Sequence, residues 1–160
     1  MADIGFYHLT RTSLIQALAA LLGRSLAAGE RAVVLAPSQD AVAALDTALW
    51  AVEEPAWLPH GTAADGDAAL QPVWLTTATE APNGARFLFL VEGAEAGSLD
   101  GFTRAFDLFD GRVEAALSAA RRRWQAARAG GHRLSYWQQT PRGWEQKQGE
   151  RTGQTQETQA

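Results

Sequence analysis

Ala32-Val33-Val34-Leu35 is apolar at four positions running, with no polar residue to mark a solvent face. A run so short and uniform fits a strand buried on both sides, as the inner strands of a parallel sheet are. An amphipathic segment precedes it, with Leu14, Leu18, Leu21, Leu22 and Leu26 on one face, Thr12 or Ser13 as N-cap and Gly29 at its close. Another follows, opened by Pro37-Ser38-Gln39-Asp40 with Ser38 as N-cap, and its Val42, Leu45 and Leu49 carry a period of about 3.6 residues to Trp50. Further out, Ile4-Gly5-Phe6-Tyr7-His8-Leu9 reads as a first strand. Strand, helix, strand, helix is the opening of an α/β fold.

Toward the C-terminus, Thr62 to Gln71 is rich in Ala, Asp and Gly and is expected to be a solvated loop. Pro72 to Thr77 and Arg86 to Val91 read as strands, separated by a turn at Pro82-Asn83-Gly84. Between Phe102 and Phe109 both periods are present, and a short helical turn leading into a strand over Ala105 to Phe109 is expected. Arg112 to Ala129 is the clearest helix: Val113, Leu117, Ala120, Trp124 and Ala127 form a stripe, and Gly130-Gly131 ends it. Leu134 to Trp137 reads as a strand, paired through Pro141-Arg142-Gly143 with Trp144 to Lys147. Residues 1–147 thus form one domain. The remaining 148–160 have no large apolar residue and are expected to be a flexible polar tail.

A chain of 160 residues is long enough for one domain with a substantial core. Cysteine is absent, which excludes disulfides, thiolate nucleophiles and Cys-ligated metal. No apolar run approaches the roughly 20 residues that cross a bilayer, and the start has no secretory pattern, so a cytoplasmic protein without membrane contact is expected. The net charge of −4 is unevenly spread. Up to Asp110 there are 5 Lys and Arg against 14 Asp and Glu, a balance of −9; from Gly111 the counts are 9 and 4, a balance of +5. An acidic body with a basic last third is poorly suited to wrapping DNA. An acidic peptide suits the basic third better.

A search for chemistry finds no catalytic set. No glycine-rich loop follows the first strand, and Lys147 is the only lysine, so a P-loop or Schiff-base mechanism has no candidate in the core. His8, His60 and His132 are scattered and form no metal-binding pair. Ser13 and Ser38 are explained by capping, and Asp107 and Asp110 by a turn before the long helix. No enzyme, cofactor or metal is expected. The cluster with functional content is Arg121-Arg122-Arg123-Trp124. Arg121, Trp124, Gln125 and Arg128 stand at i, i+3, i+4 and i+7, with Leu117 one turn earlier on the same side. A guanidinium beside an indole and an aliphatic chain suits a peptide ending in an aromatic residue and a free carboxylate. The same cluster also suits phosphates. Trp50 and Trp57 flank Glu53-Glu54-Pro55, either as core plugs or as docking anchors.

Leu45-Asp46-Thr47-Ala48-Leu49-Trp50 followed by Trp57-Leu58-Pro59-His60-Gly61, with Ile4 to Leu9 near the start, resembles the chi subunit of bacterial DNA polymerase III holoenzyme. Pro82-Asn83-Gly84, Phe106 to Gly111, and Arg123-Trp124 leading into Gly131-His132 extend the likeness in order as far as about Lys147. The resemblance implies a site on the long helix for the acidic C-terminal tail of single-stranded DNA-binding protein. In it Arg121 matches the essential arginine, Trp124 its aromatic neighbour and Phe109 an apolar wall. The family places further basic residues a turn either side of that arginine, where this chain has Leu117 and Gln125. Trp50 and Trp57 match a separate surface for the psi subunit of the clamp loader or, alternatively, a repair helicase.

The expectation is therefore a three-layer, Rossmann-like α/β domain with a mostly parallel central sheet, acting as a non-catalytic adaptor in DNA replication that meets nucleic acid only indirectly. Two rivals stand beside it: a nucleotide-binding α/β enzyme, suggested by fold pattern alone, and a direct nucleic-acid-binding module.

Overall fold

The computed structural model describes residues 2–54 and 57–149. In chain order the elements are β1 (Asp3–Leu9), α1 (Leu14–Ala27), β2 (Ala32–Leu35), α2 (Gln39–Trp50), β3 (Gly61–Thr62), β4 (Val73–Thr76), β5 (Phe87–Leu90), β6 (Arg104–Asp110), α3 (Glu114–Ala129), β7 (Arg133–Thr140) and β8 (Gly143–Gly149). All eight strands join one sheet in the order β3-β4-β2-β5-β6-β1-β7-β8. Every neighbouring pair is parallel except β7 and β8, an antiparallel hairpin at the edge. The fold is the mostly parallel, three-layer α/β arrangement expected.

Side-chain alternation divides the core in two. Tyr7, Leu9, Val34, Phe89, Phe106 and Leu108 point to one face, where α1 and α2 cover them with Leu18, Leu22, Leu45 and Leu49. Ile4, Phe6, Val33, Leu35, Leu88 and Phe109 point to the other, where α3 supplies Ala120 with Leu117, Trp124 and Ala127. A period of two along each strand requires this division. β2 is fully buried at all four positions, as its unbroken apolar run dictates. Two helices protect the first face and only one the second, which leaves both flanks of α3 accessible.

The helix starts follow local chemistry. Ser13 caps α1 in a reciprocal box: its side chain accepts from the Gln16 N–H, and the Gln16 side-chain oxygen Oε1 accepts from the Ser13 N–H at 3.1 Å. Ser13→Ala is expected to cost about 1 kcal/mol of unfolding free energy, read from urea denaturation. Ser38 caps α2 by accepting from the Ala41 N–H. α3 begins at Glu114, two residues later than expected. Arg112 is drawn instead to Asp110, with Nε 2.8 Å from Oδ1, and its Nη2 donates to the Thr12 carbonyl.

Two local expectations are corrected. The segment over 62–71 is more than a solvated loop: Gly61–Thr62 pairs with Trp74 and Leu75, and Ala68–Leu70 forms a 3-10 turn. Its polar groups satisfy one another, Asp65 accepting from the Thr62 N–H at 2.9 Å, so the segment folds onto the sheet edge. The helical turn expected after Phe102 lies just before it instead, and the strand expected over Ala105 to Phe109 follows. The Phe102 N–H closes a single turn on Leu99, and β6 takes over from Arg104 because β1 and β5 pair with it on both sides. Of the segment expected as a tail, Gln148 and Gly149 end β8, while 150–160 lie outside the described residues.

Candidate functional site: the α3 flank and the tryptophan surface

α3 crosses the sheet with Ala120 as its buried point of contact. The run of arginines therefore divides between two flanks of the helix. Arg123 turns inward and forks onto Asp107 of β6, its Nε 2.7 Å from Oδ2 and its Nη2 2.9 Å from Oδ1. Asp107 is buried, and burial pushes its carboxyl above the usual carboxylate range, with the Arg123 guanidinium opposing that rise. This pair is structural, and it explains one arginine of the cluster that sequence spacing left unassigned.

Arg121 faces the opposite way. It is exposed and forms no hydrogen bond or ion pair among the described residues. Its charge is felt by His8 on β1 and Tyr136 on β7, which places it over the neighbouring ends of those strands. Trp124, one turn on, is half-buried and meets Phe6 edge-on at 5.2 Å and Tyr136 at 5.9 Å between ring centroids. Phe109 is buried, 6.2 Å from Tyr136 and 5.2 Å from His8. Leu117 is half-buried against the same cluster, whereas Gln125 and Arg128 are exposed. The arrangement is an exposed guanidinium, without a partner among the described residues, beside an aromatic wall, with further polar groups along the helix.

His8 and Tyr136 belong to that wall although sequence reasoning left them out. Tyr136 links Phe109 to Trp124, and its hydroxyl lies 2.7 Å from His8 Nδ1. Both residues alternate onto the α3 side of their strands, a legible signal. That β7 lies next to β1 was the missing piece, since Tyr136 sits opposite Phe6 only through this parallel pairing.

On the other flank of α3 a cleft of about 800 Å³ opens between the helix and the loop before β6, lined by Ile4, Phe6, Leu90, Gly97, Arg122 and Ala126 among others. Arg121 and Trp124 do not line it. Volume alone is a weak guide here: cationic lining groups are matched by Glu95, Asp100 and Asp107, so the cleft has no clear preference for an anion. Among the described residues no cluster of three His, Asp or Glu is placed to hold a metal, and no helix is long and apolar enough to cross a membrane.

The tryptophan stretch is far from α3 in the sheet order. Trp50 is 51% exposed and Trp57 72%, and their rings meet at 6.1 Å. Of the two sequence readings for Trp50, core plug or docking anchor, this exposure removes the first. Beneath Trp50, at 4.0 Å, lies the ring of His60, which is fully enclosed. His60 Nδ1 is 2.7 Å from the Leu58 carbonyl, and Nε2 is 3.2 Å from both the carbonyl and a carboxylate oxygen of Asp46. Helix end and loop are thereby tied together under the indole. Glu53 and Glu54 are exposed nearby in sequence, whereas Pro55 and Ala56 lie outside the described residues.

A sequence model of the family described as DNA polymerase III chi subunit, HolC, matches residues 1–135. A probable DNA polymerase III subunit chi from Rickettsia prowazekii (strain Madrid E) is 22% identical over 99 residues, 62% of this chain and 60% of that protein. The chain therefore spans less than two thirds of that relative's length. The matched region contains Arg121, Trp124, Phe109, Trp50 and Trp57, and ends one residue before Tyr136.

Proposed function

The chain belongs to the DNA polymerase III chi subunit family, an accessory component of the replicative polymerase, and from that premise we propose that it is a non-catalytic adaptor with two docking surfaces. The α3 flank takes the acidic C-terminal tail of single-stranded DNA-binding protein. Arg121 forks onto the terminal carboxylate, and Trp124, Phe109 and Leu117 receive the last aromatic ring. Gln125 and Arg128 meet acidic residues further up the tail. The surface of Trp50 and Trp57 joins the clamp loader through its psi subunit, or a repair helicase in its place. Two modest contacts on one chain become a strong tether, because the second is made at high effective concentration once the first is in place. No cofactor or metal takes part, and a cytoplasmic location fits the role.

The observation that carries this reading is the division of labour among the arginines. Arg123 is occupied by Asp107, while Arg121 stands exposed beside a half-buried indole with no partner among the described residues. An unpaired cation next to apolar rings is suited to a ligand with one charge and one ring at its end.

The test is calorimetric titration of the protein with a peptide copying the tail of its cognate single-stranded DNA-binding protein. Arg121→Ala is expected to weaken binding by about 1.5–3 kcal/mol, the usual scale for losing a charge-assisted hydrogen bond. Amidating the peptide's terminal carboxylate should weaken it comparably. Binding indifferent to both changes would remove the site. The exposed Arg121, Arg122 and Arg128 also keep direct nucleic-acid binding in play as a second reading. That reading requires oligonucleotide affinity falling steeply with salt, without peptide binding.

A further inference from the structure

His8 and Tyr136 form a polar pair inside the aromatic wall beside Arg121. His8 Nδ1 and the Tyr136 hydroxyl are 2.7 Å apart, and the other ring nitrogen, Nε2, makes no hydrogen bond among the described residues. The His8 ring is half-buried, not sealed from solvent. It lies over Gly111, where a Cβ would overlap the imidazole, so the ring keeps this position only because residue 111 has no side chain. Burial raises the Tyr136 hydroxyl above its ordinary range, with Arg121 opposing, and the group is therefore a phenol at neutral pH.

Proton inventory decides what this pair offers a ligand. With neutral imidazole, either tautomer leaves the pair one donor beyond the His8–Tyr136 bond: Nε2–H when the phenol donates to Nδ1, or the hydroxyl when Nδ1–H donates to it. With imidazolium, Nδ1 donates to the phenol oxygen, the hydroxyl hydrogen is released outward, and the pair presents two donors and a full charge. Either state suits an anion, and the charged state suits it better.

We propose that His8, braced by Tyr136, is a second anion-binding group of the Arg121 site, and that it takes up a proton when a peptide carboxylate settles against the arginine. This rests on the peptide-binding reading above and extends it. The charged and titratable groups facing His8 are Arg121 from α3, Asp110 at the end of β6 with Arg112 bound to it, and Tyr136 from β7. In the free protein, burial first and the Arg121 charge second hold the imidazole below its ordinary value, while Asp110 works the other way. A carboxylate on Arg121 cancels that repulsion and adds an attraction, so the His8 value rises on binding. Proton uptake follows by linkage. The added affinity is complete below the free-state value of His8 and is lost as pH rises through the value in the complex.

The experiment titrates the full chain with an acidic peptide ending in phenylalanine with a free carboxylate, between pH 6 and pH 8, in two buffers of unlike ionisation enthalpy. The peptide's own carboxyls are already ionised over this range. The His8 ring is followed by NMR in the free and bound protein. Binding about 3- to 10-fold tighter at pH 6 than at pH 8, fractional proton uptake and an upward shift of the His8 titration are expected. His8→Gln should bind more weakly at pH 6 and lose both slope and uptake, and Tyr136→Phe should reduce the uptake. If binding depends on Arg121 yet the His8 titration is unmoved and wild type shares the His8→Gln slope, this inference falls and the peptide reading stands. If the wild-type chain binds no peptide anywhere in the range, both fall.

Discussion

Asp107→Ala is expected to lower the unfolding free energy by about 3–5 kcal/mol, the usual cost of removing one partner from a buried ion pair. Against a total stability of about 5–15 kcal/mol for a domain, that is a large fraction. The cost arises from what remains. The Arg123 side chain is only 12% exposed and the Asp107 side chain 3%, so truncating the carboxylate leaves a largely buried guanidinium without its two hydrogen bonds to Asp107. The pair itself is a different quantity. Asp107→Leu combined with Arg123→Met removes both charges and fills the space with apolar atoms, and is expected to be neutral or stabilising by about 1–4 kcal/mol. Urea unfolding of wild type, both single variants and the double variant completes the cycle. A single variant within about 0.5 kcal/mol of wild type would mean that the pair is solvated and that Arg123 is free to serve a ligand.

The pH dependence of the same cycle has a defined sign. Burial raises the folded-state value of Asp107 above its unfolded value, so folding takes up a proton between the two. The stability that Asp107 contributes is complete below the unfolded value and declines as pH rises through the folded one. Wild type should gain on the double variant as pH falls across that window and show no further trend above it.

Much of this architecture can be read from periodicity, because burial imposes it. Ala32 to Leu35 has no polar face, and the strand it forms has none exposed. The leucines of α1 mark the helix face that covers the sheet. What periodicity cannot supply is which strands are neighbours. Phe109, Trp124 and Tyr136 are far apart in the chain and meet because β6, β1 and β7 lie side by side. Without that order, Tyr136 reads as one aromatic in an edge hairpin and His8 as a satisfied structural histidine. The arginine run shows the complementary limit. Spacing puts Arg121 and Arg123 on different sides of the helix, but only the carboxylate of Asp107, reached across the sheet face, decides which of them is spent. At Trp50 the ambiguity has another origin, since an apolar stripe running to a helix end has the same pattern whether its last residue turns in or out.

Removing both exposed tryptophans is expected to separate assembly from stability. In Trp50→Ala/Trp57→Ala, association with the proposed second partner, psi subunit or helicase, should weaken by about 2 kcal/mol or more, the scale of one tryptophan anchor, because two rings in contact do not contribute additively. Peptide binding at Arg121 should be unchanged, because the two surfaces lie on different parts of the sheet. The contributions to folding are unequal. Trp57 is 72% exposed, and Trp57→Ala should leave the midpoint of thermal unfolding nearly where it was. Trp50 also roofs His60, whose enclosed ring ties Leu58 to Asp46, so Trp50→Ala admits water to those bonds and should cost about 1 kcal/mol. Trp50→Phe retains a ring over His60 while shortening the anchor, and is expected to restore the folding loss without restoring the partner. A double variant that binds the partner as wild type does would show that the exposed indoles are not the anchors. Loss of peptide binding in the same variant would show instead that the two surfaces are coupled through the sheet.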